Sequence, residues 1–390
     1  MRLPLIYAAR NLLRNPLRTL LTCAAVGLPI VILVLSTAVI DGIEQFLENS
    51  SRQLRLAVTQ KTSMVNPLPA SYRSKIEALD PTHTHLRAVC GLRWLGGTIE
   101  NDPRPLSTVA GDADSFAAVF AEHLHTAAER DAWLRDRQAL IVGRGTALRF
   151  DWKVGDRVTI RPSVPPYTPL PFHIVSTAPD AADPSTNFCR RDYVEEEIKR
   201  GGWLPDLVSF LFVKCATLAD VEHYRTAIDQ RFANSPDETF TQDEKSFMNQ
   251  FITQQFDLPR NLSLLAVMTV VVAVLAAANT MSMNFRDRLS EYATLRAIGY
   301  PGPRILALIQ LESLVVCLVG GVLGALGPYL AFTATPLRDF SVPLIQHLEI
   351  RPLVCVYAVG IAGLVGLLAA AWPSWLAVRL KVLDAFRLLE

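Results

Sequence analysis

The chain has 390 residues, half of them hydrophobic and 19% charged, and its 38 basic and 37 acidic side chains leave a net charge of +1. That balance offers no basic footprint for nucleic acid, and it fits a mixture of apolar spans with an ordinary polar segment. No G-x-x-x-x-G-K-[ST], G-x-S-x-G or H-E-x-x-H pattern occurs, so the residues announce no phosphate-binding loop, serine elbow or zinc pair.

Residues 1–18 set Leu5, Ala9, Leu12 and Leu13 against Arg2, Arg10 and Arg14. The spacing predicts a short basic amphipathic helix on the inner membrane surface, with Pro16 turning the chain inward. Leu20–Ile40 follows without a single Asp, Glu, Lys or Arg. About 20 residues rising ~1.5 Å each cross the ~30 Å hydrocarbon layer, and only a helix satisfies its own backbone there. The run is too long for a typical signal-peptide core and no small-x-small site follows it, so a retained anchor is expected. Leu262–Met283, Ser313–Phe332 and Leu353–Val378 repeat the pattern, giving four spans.

Between the first two spans, residues 41–261 are long enough to bury a core of their own. Ile43, Phe46 and Leu47 share a helical face, so span one should continue as a stalk over Asp41–Ser51. Strands are expected at Leu54–Thr59, Leu92–Ile99, Thr108–Gly111, Ala139–Val142, Gly155–Ile160, Phe172–Val175 and Val208–Lys214. Helices are expected at Ser71–Leu79, Phe116–His125, Leu218–Phe232 and Gln242–Phe256, the last as a second stalk. Proline clusters at Pro162–Pro171 and Pro179–Pro184 read as loops. The predicted fold is thus an α-helical membrane protein with four transmembrane helices. A large extracytoplasmic α/β domain, a mixed subdomain with an inserted β-rich centre, lies between the first and second.

Orientation follows the short loops. Arg2, Arg10, Arg14 and Arg18 precede span one, Arg286, Arg288, Arg296 and Arg304 separate spans two and three, and Arg379, Lys381 and Arg387 follow span four. The loop between spans three and four offsets Arg338 and Arg351 with Asp339 and Glu349. Both termini and the 285–304 loop are therefore expected in the cytoplasm, and 41–261 outside. The full division is 1–18 interfacial helix, 19–40 first span, 41–261 outer domain, 262–284 second span and 285–304 coupling helix and loop. Then come 305–332 third span, 333–351 outer loop, 352–378 fourth span and 379–390 tail.

Candidate chemistry is sparse. His83/His85 and His123/His125 are i,i+2 pairs, which share a face only on a strand. No Cys-His cluster completes either, so no metal or other cofactor is expected. Cys23, Cys317 and Cys355 lie in spans; Cys90, Cys189 and Cys215 lie outside, where one disulfide would have three possible pairings. Gly320, Gly321, Gly324 and Gly327 predict a helix-packing seam, because small residues let backbones approach in lipid. Glu312 abuts the third span near its cytoplasmic end; a lipid-exposed charge at mid-membrane costs about 2.5–3.5 kcal/mol, so an interface-level structural role is expected.

The most specific stretch is Arg286-Asp-Arg-Leu-Ser-Glu-Tyr-Ala-Thr-Leu-Arg-Ala-Ile-Gly299. It reads as a short amphipathic helix in which Arg288 and Glu291 can pair at i,i+3. Leu295 and Ile298 share an apolar stripe, and Gly299 is placed to end the helix in a left-handed conformation. Pro301 and Pro303 forbid continuation. Such a piece between two spans suits docking of a cytoplasmic partner.

Arg288, Glu291, Leu295, Arg296, Ala297, Ile298 and Gly299 resemble, position by position, the R-x-x-E-I-x-x-L-R-A-[IL]-G signature of FtsX-like, MacB-type ABC transporter permeases. Tyr292 stands where Ile is usual, and Tyr300-Pro-Gly-Pro303 replaces a small-polar run. Arg10–Arg14, Leu17–Leu21, Val154–Ile160, Phe212–Val221, Leu311-Glu-Ser and Leu383–Arg387 are similar to the family elsewhere. The resemblance implies a bacterial inner-membrane dimer, of identical or different permeases, served by a separate cytoplasmic P-loop ATPase gripping 288–299. It implies no enzymatic activity in this chain, a route for a hydrophobic or amphiphilic substrate among membrane lipids, and room for a periplasmic adaptor. The alternative is a membrane-anchored receptor or adhesion protein that binds outside and moves nothing.

Overall fold

The computed structural model describes residues 16–99, 102, 104–178, 185–255, 258–334 and 350–379. The expected interfacial helix before Pro16, the second proline cluster, most of the loop between spans three and four, and the tail with Leu383–Arg387 lie outside these residues. Two bodies emerge. One is helical, taking the first helix as far as Asp41 and the described residues from 258 onward; the other is α/β and takes 42–255.

The helical body answers the four apolar runs: α1 (Pro16–Ser51) is long enough, and apolar enough over Thr19–Ser51, to span a membrane, as are three later helices. In α1 the helix does continue past the apolar run to Ser51, as Ile43, Phe46 and Leu47 foretell.

In the α/β body, β1 (Arg55–Gln60), β2 (Leu68–Pro69), α2 (Tyr72–Glu77), β3 (Leu86–Trp94), β4 (Thr98–Ile99) and β5 (Ser107–Gly111) come first. Next are α3 (Phe116–Val119), a 3-10 turn at Ala121–His123, α4 (Ala127–Arg135), β6 (Ala139–Val142), α5 (Arg144–Phe150), β7 (Arg157–Arg161) and β8 (Leu170–Thr177). The body closes with β9 (Thr186–Arg190), α6 (Arg191–Arg200), β10 (Leu207–Val208), β11 (Phe210–Cys215), α7 (Leu218–Phe232), β12 (Thr239–Asp243) and α8 (Glu244–Gln255).

Ten strands form one sheet in the order β12-β1-β11-β3-β5-β9-β6-β8-β7-β4, and β10 pairs with β2 apart from it. Strands from 98–190 occupy one end and β12, β1, β11 and β3 the other. The expected insertion is therefore real in chain order, yet its strands extend the host sheet, and it carries α3 to α6 besides. Only β5–β9 and β6–β8 are parallel.

Alternation sorts the core. Leu56 and Val58 of β1 and Leu211 and Val213 of β11 face α2 and α7, where Tyr72 stacks on Phe232 at 4.1 Å. Ala57 and Phe212, one residue out of phase, face the opposite way into Phe116, Phe120, Trp133 and Phe247. At the other end, Leu140, Ile160, Phe172 and Ile174 pack with Val194 and Ile198 of α6. Helix α7 starts where Thr217 and Asp220 form a reciprocal capping box, and α4 does the same with Thr126 and Glu129.

Two helix assignments need correction. Phe116–His125 is α3 plus a 3-10 turn rather than one helix, because the backbone leaves helical geometry at Phe120 (φ −117°, ψ 52°) and again at Leu124. Gln242 and Asp243 belong to β12, paired with β1, and the helix begins at Glu244. The strand expected over Leu92–Ile99 starts earlier, at Leu86, and breaks where Gly96 and Gly97 take positive φ.

Candidate functional site: the connection between the second and third spans

The second span, α9 (Leu258–Asp287), is followed by α10 (Leu289–Ala297), α11 (Gly302–Ala334) and α12 (Pro352–Arg379). Arg288 is the joint: its φ of −109° and ψ of 13° leave the helical region, so α9 stops there and α10 starts anew at Leu289. At the far end Gly299 takes φ +97°, the left-handed stop its position suggested. Pro301 then admits α11 one residue later.

One side of this connection is sealed. Tyr292 stacks on Phe285 at 5.8 Å, and both pack with Ile305, Ile309 and Ala370, with Leu289 and Leu295 alongside. Arg288 reaches across to the third span: Nη1 donates to both carboxylate oxygens of Glu312, at 3.2 and 3.1 Å. Glu312 is only 8% exposed, so the charge that abutted the third span is paired inside the protein rather than turned to lipid or solvent.

The other side is bare. Ile298 is 76% exposed and Tyr300 48%, flanking the exposed Ala297 and Gly299. The expected stripe joining Leu295 to Ile298 is therefore split: Leu295 turns into the cluster, while Ile298, past the end of α10, turns out. Glu291 and Arg296 are half-buried on α10.

Glycines set the spacing of the spans. A Cβ at Gly320 would lie 2.6 Å from the Cys23 carbonyl oxygen, and one at Gly324 would collide with the Gly27 carbonyl oxygen, both on α1. Gly321 faces Ala362 of α12 at similarly close range. Gly327 has nothing within 4 Å of an added Cβ, so the seam as drawn from the sequence runs one glycine too far. Polar cross-links help: Ser313 Oγ donates to the Gly366 carbonyl at 2.7 Å, and Gln310 Nε2 donates to Ser374 Oγ at 3.0 Å.

Residues 263–382, covering α10, α11, α12 and most of α9, match the family model described as FtsX-like permease C-terminal. Over those residues the chain is similar to the FtsX-like permeases. It is 30% identical over 126 residues to the macrolide export ATP-binding/permease protein MacB of Chromobacterium violaceum, 32% of this chain and 19% of that one. The Escherichia coli MacB is 30% identical over 127 residues, 32% of this chain and 18% of its own. The permease thus spans under a fifth of these relatives' length. Among solved structures, the periplasmic region of MacB from Actinobacillus actinomycetemcomitans aligns with a TM-score of 0.35 and 9% identity, over 51% of this chain and 92% of that one. The extracellular domain of YknZ from Gram-positive bacteria gives 0.34 and 6%, over 48% and 99%.

Elsewhere in the permease the histidine pairs part company. His85 Nδ1 meets Asp220 at 2.9 Å while His83 is exposed, and His123 is buried among Phe116, Phe120 and Phe188 while His125 is exposed. No group of three metal-ligating side chains occurs among the described residues. Cys90, Cys189 and Cys215 are buried free thiols on three different strands. Burial pushes the Cys90 and Cys215 thiols up to about 12, so neither is a nucleophile near neutral pH.

Sequence reasoning missed two features: Glu312 as the partner of Arg288, and Tyr300 as the exposed neighbour of Ile298. Local spacing could not find the first, since 24 positions separate the pair. The glycine stop at 299 was the available signal for the second, because residues beyond a left-handed stop leave the packed face.

Proposed function

We propose that this chain is the membrane subunit of an ABC transporter, worked by a separate cytoplasmic ATPase that docks on the 288–301 connection. The observation that carries this reading is an exposed apolar tip, Ile298 to Pro301, on a short helix whose opposite side is fastened to the spans. Two exposed apolar side chains side by side on a base packed against the spans suit insertion into a cleft of another protein. The loop arginines place this connection and both termini in the cytoplasm and residues 41–261 outside. No nucleotide-binding pattern occurs in the sequence, so hydrolysis is assigned to the partner.

Movement at the connection would then pass along α9 and α1 to the outer domain, exporting or extracting a hydrophobic or amphiphilic substrate. The spans support that route by what they are made of: their described polar contacts tie helix to helix rather than line an aqueous path. A dimer, of identical or different permeases, and an adaptor outside the membrane complete the proposed assembly. The relatives' printed names, which join ATP binding to permease and specify macrolide export, support the transport class without fixing this chain's substrate.

The test is co-purification with the P-loop ATPase encoded nearest the chain. Ile298→Asp and Glu291→Lys should each reduce recovered ATPase about tenfold while membrane insertion is unchanged. Equal recovery by both variants would defeat the reading.

A further inference from the structure

The connection between spans two and three is not a free loop, and the way it is fastened is specific. Arg288 is the single non-helical residue between α9 and α10, so any change in the angle between them is taken up there. That same residue gives one guanidinium nitrogen to both oxygens of a buried carboxylate on α11. A mere surface fastening would sit on α10's solvent side and be worth little. Here both side chains are largely shielded from solvent, so separating them costs more than breaking a surface pair. The apolar contacts of Leu295 can slide; the two charge-assisted hydrogen bonds from one nitrogen to both oxygens of Glu312 are directional and hold α10 to α11 at one point.

We propose that the Arg288–Glu312 pair is the pivot of the coupling element: it locks the attitude of α10 to the third span, so that a load on the 298–300 tip moves the second and third spans together instead of bending the joint. Both members are positioning residues. They act through α10 and need not touch the partner.

The inference rests on the proposed docking role of the tip but is tested without it. The chain alone is placed in lipid nanodiscs, and backbone hydrogen exchange is followed across 289–300. Glu312→Gln and Arg288→Gln should each speed exchange there at least tenfold, with the 307–330 amides unchanged. The exchanged pair Arg288→Glu with Glu312→Arg should bring the rate back to within threefold of the parent, and Arg288→Lys should fall between. Ile298→Asp should leave exchange across 289–297 as it is. Unaltered exchange in both single variants, or a charge-exchanged protein no slower than the singles, overturns the pivot. With the ATPase added, Glu312→Gln, which lies outside the docking connection, should retain binding within threefold and lose at least tenfold of substrate movement per ATP hydrolysed; parallel loss of binding would reassign the pair to docking. If the parent binds no ATPase, the docking reading fails, while the exchange result still decides the pivot.

Discussion

A buried arginine, Arg55, and a half-buried one, Arg288, divide the labour of this molecule, and they are built differently. In the α/β body Arg55 of β1 donates to both oxygens of Glu244 at 2.7 and 2.8 Å, to Glu122 at 2.5 Å and to the Val119 carbonyl at 2.9 Å. It thereby ties a strand, the 3-10 turn and the start of α8, with three acceptor groups around one cation. In the helical body the recorded carboxylate partner of Arg288 is Glu312, reached through one nitrogen, at a break between helices and beside an exposed tip. The hub of three acceptors fixes a core; the Arg288–Glu312 pair fixes one joint between two helices. Burial raises Glu244 above the usual carboxylate range, opposed by Arg55, which shows how much that site depends on its cation.

The comparison breaks most visibly at Arg55. Arg55→Met leaves two buried carboxylates facing each other and should cost about 3–5 kcal/mol of stability in the α/β body. Urea unfolding followed by tryptophan fluorescence checks this, and a shift below ~1 kcal/mol would mean that the hub is not structural. The helical body offers its own static counterpart. Gly324→Leu drives a side chain into the α1 backbone and should destabilise by about 1–3 kcal/mol or more, read as a lowered melting midpoint in detergent. Gly327→Leu, with open space at its Cβ, should differ little from the parent.

A smaller effect separates the α/β body's surface turns from its hub. Asp80 accepts from the Thr82 hydroxyl and from the His85 and Leu86 amides, which hold its carboxyl well below the usual range. Because the folded value is depressed, its contribution is fully present above the unfolded value of roughly 3.9 and fades as pH falls below it. The difference in unfolding midpoint between parent and Asp80→Asn should therefore be present at pH 7 and shrink below pH ~4. Smallest of all is the response of the thiols: Cys90 and Cys215, raised to about 12 by burial, should resist maleimide at pH 8 in folded protein and react once urea is added. Rapid labelling of the native protein would place these strands at the surface.

What was legible in the sequence was what depends on neighbours along the chain. Uncharged runs declared four helices, β-branched runs declared β1, β6 and β11, and helical spacing declared α7. Gly299 foretold the end of α10. The misses share one cause, contacts between distant residues. β12 reads Thr-Phe-Thr-Gln-Asp, with exposed Phe240 and polar neighbours, and becomes a strand because β1 offers an edge. β9 carries Asn187, whose buried carboxamide bonds Gly143 N–H and the Ser107 carbonyl, a role visible only once β5 and α5 are placed. At the candidate site, the fold brings Arg288 a second carboxylate from the next span beside its neighbour Glu291, and Ile298 left the stripe that helical spacing assigned it.

The account turns on whether a nucleotide-hydrolysing partner seats on the exposed tip. Binding of the neighbouring P-loop ATPase to the chain in lipid nanodiscs, parent against Ile298→Asp, measures this directly. The account predicts saturable binding by the parent and a dissociation constant at least tenfold higher for the variant, about 1.4 kcal/mol. Equal affinity of the two, or no binding by the parent, would contradict it.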